Sequence, residues 1–287
     1  MENLIDLQPL ADVANNLIDK LGSAVGWIAT HDTPYRTAID TYIQEIQSSN
    51  YDPLTKAALI SKARKTLKEY CNQQDIVRIA IDSMKPHAAP NSVDSDWLAQ
   101  FMDKARLVSD AEFQILWGNI LAEECNAPGS IPRVLLHSME QMDKSMAEAF
   151  VSVASTSIHI LDSGELSYAP MVMDSELKGI YEEIGITYDS LVNLQSIGLI
   201  EINFGAFSGN YVVRCTTTPI VIHYHESTYQ FPDTINQVPV GHVIYTKAGE
   251  ALCKSIFPNK IESFLKSNCI PFWDQKLSEF KDQLQNE

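Results

Sequence analysis

Positive charge is scarce in this sequence: 21 Lys and Arg stand against 37 Asp and Glu, a net charge of −16. Unaided binding to nucleic acid or to anionic lipid needs clustered cations, so the balance argues against both. A basic partner or a neutral protein surface fits it better. Cysteine is also sparse. Cys71, Cys125, Cys215, Cys253 and Cys269 include no CxxC pair and are odd in number, which speaks against a disulfide framework and against a cysteine-bound metal. Free thiols in a reducing, cytoplasmic setting are expected. No apolar run approaches the ~20 residues of a membrane span. The start, with Glu2 and Asp6, lacks the basic region of a signal peptide. The phosphate-loop, dinucleotide, zinc-protease and nucleophile-elbow motifs are all missing. The expectation is therefore a non-enzymatic protein with no catalytic, cofactor-binding or metal-ligating residue, no cofactor and no transmembrane segment.

With 287 residues, 45% of them hydrophobic and 20% charged, the chain can bury a core and has room for two domains. Its periodicities predict an α+β fold, predominantly α. A helical scaffold over 1–155 precedes a smaller winged-helix-like α+β module over 156–257, and C-terminal helices close the chain over 258–287. Leu10, Val13, Ala14, Leu17, Leu21, Val25 and Ile28 form one helical stripe. It ends in a small, apolar stretch around Trp27 that reads either as a tight helix contact or as a membrane- or partner-seeking tip. Thr33-Pro34 and Asp52-Pro53 each read as an N-cap followed by proline in the first turn. The second opens a long helix carrying the one basic run, Lys56, Lys62, Arg64, Lys65 and Lys68, which reads as a solvated face or as a nucleic-acid contact. Asn72 is expected to break or kink it. Lys85 to Ser92, with two prolines, reads as a linker.

The stretch from Asp96 to Phe150 has the sharpest punctuation. Ser109-Asp110-Ala111-Glu112 reads as a capping box with Ser109 as the cap. Trp97, Phe101, Ala105 and Trp117 are expected in the core, and Gly118 implies a close helix crossing. Asn126-Ala127-Pro128-Gly129 stops the helix, and Ser130 is expected to cap the next, with Pro132 in its first turn. Glu123-Glu124, at odds with the helix dipole there, reads as a solvated pair or as a contact for a basic partner. The residues Trp97, Phe101, Ala105, Val108-Ser109-Asp110, Glu112, Gln114, Leu116-Trp117, Ile120-Leu121-Ala122, Glu124 and Pro128-Gly129-Ser130 together resemble the uncharacterised bacterial family catalogued as domain of unknown function 2806. The core of the resemblance covers residues 94–150. It extends back to Gln73-Gln74-Asp75-Ile76 and forward into the C-terminal third; Ile131-Pro132-Arg133-Val134 departs from the expected, more polar helix start. That family has no established activity. The resemblance implies a bacterial cytosolic origin and a fold, with an association to anti-phage or mobile-element gene clusters that is genomic and carries no mechanism.

After Ala154 the periodicity shortens. Ile158–Ile160 and Leu166–Tyr168 alternate around Asp162-Ser163-Gly164 as a hairpin. Ser175 to Glu183 and Gly185 to Gly198 read as helices, Leu199 to Phe204 as a strand, and Tyr211 to His225 as a strand run broken at Pro219. Leu191, Leu194, Gly198-Leu199-Ile200, Thr246, Gly249 and Leu252 resemble a winged-helix pattern, with Tyr188 to Ser196 as the recognition helix. That helix contains no Lys or Arg and carries Asp189, so a protein-binding or purely structural winged helix is expected rather than a DNA reader, with a protein partner or a second copy of the chain as its counterpart. Candidate partner-binding residues are Tyr188, Asp189, Asn193, His223, His225, Phe272 and Trp273. His223 and His225 are expected on one strand face without a third metal ligand. From Asn259 two amphipathic helices are expected, anchored by Phe264, Leu265, Phe272, Trp273, Leu277 and Phe280. The alternative is a winged-helix DNA-binding regulator using Arg214, Lys247 and Lys254; a further one is a membrane-active effector through Trp27.

Overall fold

The computed structural model describes residues 8–29, 35–204, 210–256 and 258–285. The chain is α+β and predominantly α, with helices first and strands later, and packing divides it into two compact units, 1–136 and 137–287.

The first unit is built on a long central helix. α1 (Gln8–Val25) and α2 (Tyr35–Ser48) precede α3 (Pro53–Ser83), which is followed by α4 (Ser95–Ala105), α5 (Ala111–Asn126) and the start of α6 (Arg133–Gln141). The expected Thr33-Pro34 start lies outside the described residues. Asp52 does cap α3: its carboxylate accepts the Leu54 and Thr55 amides, with Pro53 in the first turn. The expected break at Asn72 is absent, and α3 runs through it. The Asn72 side chain is buried and donates to the Arg106 carbonyl at 2.8 Å, so its amide serves a distant loop and not its own backbone. Lys62, Arg64, Lys65 and Lys68 are exposed along α3, as a solvated face requires.

α3 and α5 pack most extensively. A Cβ on Gly118 would lie 2.5 Å from Ile79 Cγ2, so the crossing expected from this mid-helix glycine is real. Trp97, Phe101 and Trp117 are buried in a continuous aromatic stack with centroid spacings of 5.2 Å. The cap of α5 is shifted from its expected position: Asp110, not Ser109, accepts the Glu112 and Phe113 amides. A carboxylate one residue later reaches two free amides where a hydroxyl reaches one. Ser130 is likewise no helix cap, since α6 starts only at Arg133. Within the expected linker a short 3-10 turn forms over Pro90–Ser92.

Trp27 follows α1 and stacks on Tyr70 at 5.9 Å. It is buried, but its indole N–H has no hydrogen-bond partner. An unsatisfied buried donor costs about 1–3 kcal/mol. Trp27→Phe removes that donor while keeping most of the ring, and is expected within about 1 kcal/mol of wild type, whereas Trp27→Ala should lose about 3–5 kcal/mol. Urea denaturation of both variants checks this; a phenylalanine variant as unstable as the alanine one would show that the N–H is satisfied in solution.

In the second unit, α7 (Lys144–Ser155) leads into β1 (Ser157–Asp162) and β2 (Glu165–Pro170). There follow α8 (Ile180–Glu183), α9 (Tyr188–Ser196), β3 (Ile200–Ile202), β4 (Tyr211–Arg214), β5 (Val221–Tyr224), β6 (Ser227–Gln230), β7 (Gln237–Gly241), β8 (Val243–Tyr245), α10 (Lys247–Lys254) and α11 (Ile270–Gln285). The expected hairpin is present, with Ser163 and Gly164 at positive φ in its turn. It forms the edge of an antiparallel sheet ordered β2-β1-β5-β6; β3–β8 and β4–β7 are two-stranded ribbons. Only Ile180–Glu183 of the expected 175–183 helix is α-helical. Before it, Asp174 accepts the Glu176 and Lys178 amides and holds a turn. The expected pair of C-terminal helices is one run: a π-helical turn, Leu265–Cys269, enters α11 directly. Ile158, Ile160, Ile222 and Tyr224 point into the core with Phe231, Phe264 and Trp273. The Phe280 side chain lies outside the described residues.

Candidate functional site

The exposed face of α9 is the candidate site. Thr187 and Ser190 form a reciprocal capping box at its start, 3.1 and 3.0 Å. Leu191 and Leu194 are fully buried, which fixes the helix's rotation. The opposite face then presents Tyr188 and Val192, 56% and 38% exposed, together with Asp189 and Asn193. Tyr188 and Val192 are four residues apart and so lie on one side of the helix. Tyr188 meets the edge of Phe204 at 5.9 Å, and Phe204 stacks on His242 at 5.1 Å. The His242 Nδ1 lies 2.9 Å from the Asn203 carbonyl oxygen, which holds the ring in place. Gln195 ties the helix to its strand by accepting the Ile202 amide at 2.9 Å. The result is a short aromatic row beside an exposed helix face that lacks any Lys or Arg.

A latch at the base of α9 holds this arrangement. Gly198 closes the helix at φ +75°. Its carbonyl accepts the Thr246 hydroxyl at 2.6 Å, and Thr246 in turn caps α10 by accepting the Gly249 amide at 3.1 Å. The spacing Thr246, Gly249, Leu252 thus acquires a physical reason: a cap, a gap for a crossing backbone, and a buried anchor.

The other candidates scatter. Trp273 is a correction: it is fully buried, stacks on Tyr229, meets Phe231 edge to face, and donates to the Pro239 carbonyl at 2.9 Å, leaving no surface for a partner. Phe272 is half-buried against the same core. His223 lies on β5, but His225 sits in the following turn at φ +49°, so the two do not share a strand face as expected. His223 instead faces His159 across the β1–β5 pair, and His159 faces Tyr168 across β1–β2. Sequence reading missed His159 and Tyr168, which only strand register brings together. Among the described residues no group of three or more His, Cys, Asp or Glu could hold a metal ion. Arg214 is exposed on β4 and Lys247 at the start of α10. Lys254, at the other end of α10, pairs with Glu250 at 3.0 Å. The three cations therefore sit on separate elements or opposite helix ends. The Trp27 ring is only 8% exposed, whereas its neighbour Ile28 is 72% exposed. No helix among the described residues is long and apolar enough to cross a membrane.

No curated protein and no solved structure matches the chain. A family model described as Protein of unknown function (DUF2806) matches residues 61–268, from inside α3 to the π-helical turn. The match spans well over half of the chain, and the chain belongs to that family.

Proposed function

We propose that this protein is a non-enzymatic interaction component that binds a polypeptide through the exposed face of α9. The observation that supports this most is the exposed pair Tyr188 and Val192 on a firmly anchored, cation-free helix. The helices α8 and α9 followed by the β3–β8 ribbon support a winged-helix reading, with the β1–β2 hairpin inserted after α7 and strands β4 to β7 inserted in the wing. In that reading α9 stands where a DNA reader keeps cations for phosphates. Asp189 on α9, with exposed Glu182, Glu183 and Glu201 nearby in sequence, repels phosphate and suits a partner with basic and apolar side chains. Tyrosine is also a frequent anchor of protein interfaces.

Affinity capture from bacterial cells, infected with phage and uninfected, tests the proposal. Wild type is expected to recover a defined protein or a second copy of itself. Tyr188→Ala combined with Val192→Asp should weaken capture by at least about tenfold, the loss of one interface anchor, with circular dichroism unchanged. Equal capture by the double variant would remove α9 from the interface. Salt-dependent binding of duplex DNA, lost on replacing Arg214, Lys247 and Lys254, would favour the regulator instead.

A further inference from the structure

We propose that a pocket in the second unit, between the β1–β2 hairpin, the β5–β6 turn and α10, binds the phosphate group of a small anion. The pocket holds about 230 Å³ and is lined by Ser157, His159, Tyr168, His225, Cys253 and Lys254, with Ile256 on its apolar wall. It does not depend on the reading of α9.

Strand period places the first groups. In β1, Ile158 and Ile160 go to the core, so His159 turns to the outer face. Its partners in register are Tyr168 on one side and His223 on the other. The His159 ring packs on Tyr168 at 4.3 Å. His225 comes from the turn, held by its positive φ and by edge contact with Tyr224 at 4.8 Å. Lys254 comes from the last turn of α10, its ammonium 5.4 Å from the centre of the Tyr168 ring. At the floor, Ser157 and Tyr245 share a hydrogen bond of 2.7 Å.

Charge selects the ligand. In a chain with 37 carboxylates, none lines this pocket. Two imidazoles and an ammonium do. Of the nearby carboxylates, Glu226, beside His225, pairs with Lys260 at 3.5 Å, whereas Glu250 pairs with Lys254 itself at 3.0 Å, so a bound anion competes with Glu250 for that ammonium. Burial holds the Cys253 thiol and the Tyr245 phenol in their neutral forms. Size excludes large ligands, since 230 Å³ lies below the roughly 300–1,000 Å³ of typical organic-ligand pockets. A lysine point charge with hydroxyl and imidazole donors on separate elements suits a tetrahedral dianion.

His159 makes binding proton-linked. Burial first, and then the neighbouring His225 and His223, hold His159 below its ordinary value, so the empty pocket keeps it neutral. A bound anion reverses that preference, and binding takes up a proton. Affinity for the dianion therefore rises as pH falls toward the histidine range.

Calorimetry of the full chain in phosphate-free buffer tests this, with inorganic phosphate, glycerol phosphate and malonate as probes. Phosphate-bearing probes are expected to bind, and affinity expressed per dianion, after allowing for the probe's own protonation, should tighten by about tenfold between about pH 7.5 and pH 6 for one linked proton. Tighter binding of glycerol phosphate identifies a phosphate monoester as the ligand; equal binding identifies the free anion. Lys254→Gln and His159→Gln should each weaken binding about tenfold or more, as loss of a charged donor does, while Lys247→Gln, outside the pocket, leaves it unchanged. No heat with either phosphate probe, equal binding of malonate, or indifference to both pocket variants in folded protein would overturn the proposal.

Discussion

Replacing Gly249 by alanine is expected to destabilise the second unit by about 3 kcal/mol, the upper end of what overpacking costs. Propensity alone predicts the opposite sign, since alanine in a helix gains about 1 kcal/mol over glycine. Here the added Cβ would stand 1.9 Å from the Leu199 carbonyl oxygen and 2.9 Å from its carbon. The neighbour is backbone, so no rotamer change relieves the clash. It is also backbone in use: the Leu199 carbonyl accepts the Thr246 amide at 3.1 Å, and the adjacent Gly198 carbonyl accepts the Thr246 hydroxyl. Moving it disturbs the end of α9 and the cap of α10 together. Gly22→Ala in α1 is the control. Its Cβ would meet only the Trp27 carbonyl oxygen at 3.5 Å, ordinary contact, so this variant should be neutral or gain up to about 1 kcal/mol. Denaturation followed by circular dichroism compares the two. If both variants melt with the wild type, the latch yields and α9 is not held as described.

The same latch shows what a linear sequence can reveal. Thr246, Gly249 and Leu252 are close in the chain, and their spacing carried the packing rule with it. The cap at Asp52-Pro53, the hairpin turn at Ser163-Gly164 and the crossing at Gly118 were legible for the same reason: each is set by local backbone geometry or by the bare absence of a side chain. The α+β class and the family match followed from such features. What failed needed a distant partner. Asn72, expected to break or kink the helix, instead spends its amide on Arg106, 34 residues away. Phe272 and Trp273 are adjacent, and amphipathic pattern alone could not say which one the core encloses. His159 had no local signal at all; its neighbours come from β2, β5 and α10. The candidate site on α9 was legible as a cation-free helix, while its aromatic row was not, because Phe204 and His242 reach Tyr188 from two other segments.

Glu124 carries the second large effect, and Glu123 supplies its control. The pair was expected at the surface, yet Glu124 is only 2% exposed. One carboxylate oxygen accepts the Gly129 amide at 2.7 Å and the other accepts the Ile131 amide at 2.9 Å. An acidic residue at a helix C-terminus is unfavourable for the dipole; the two amides of the following turn offset that. The Ile131 carbonyl receives the Trp97 indole N–H at 3.0 Å, so the turn is pinned to the aromatic stack as well. Glu124→Ala strands two amides, the one at Ile131 buried, and at about 1–3 kcal/mol for a stranded buried group the loss should reach about 3–4 kcal/mol. Glu123→Ala should stay within about 0.5 kcal/mol. Glu124→Gln keeps one acceptor but turns an NH2 toward a backbone donor, so it too should destabilise. The pH dependence has a definite sign. Burial, partly opposed by the two amide hydrogen bonds, raises the Glu124 carboxyl above its ordinary 4.5. A raised acid favours the protonated fold, so wild-type stability attributable to this group falls as pH rises from 4.5 through the raised value. The glutamine variant lacks that slope. Its deficit relative to wild type should therefore be widest in acid and narrow toward neutral pH. A deficit that widens instead would mean the charged carboxylate is the form the turn prefers, and that the amides at Gly129 and Ile131 outweigh burial.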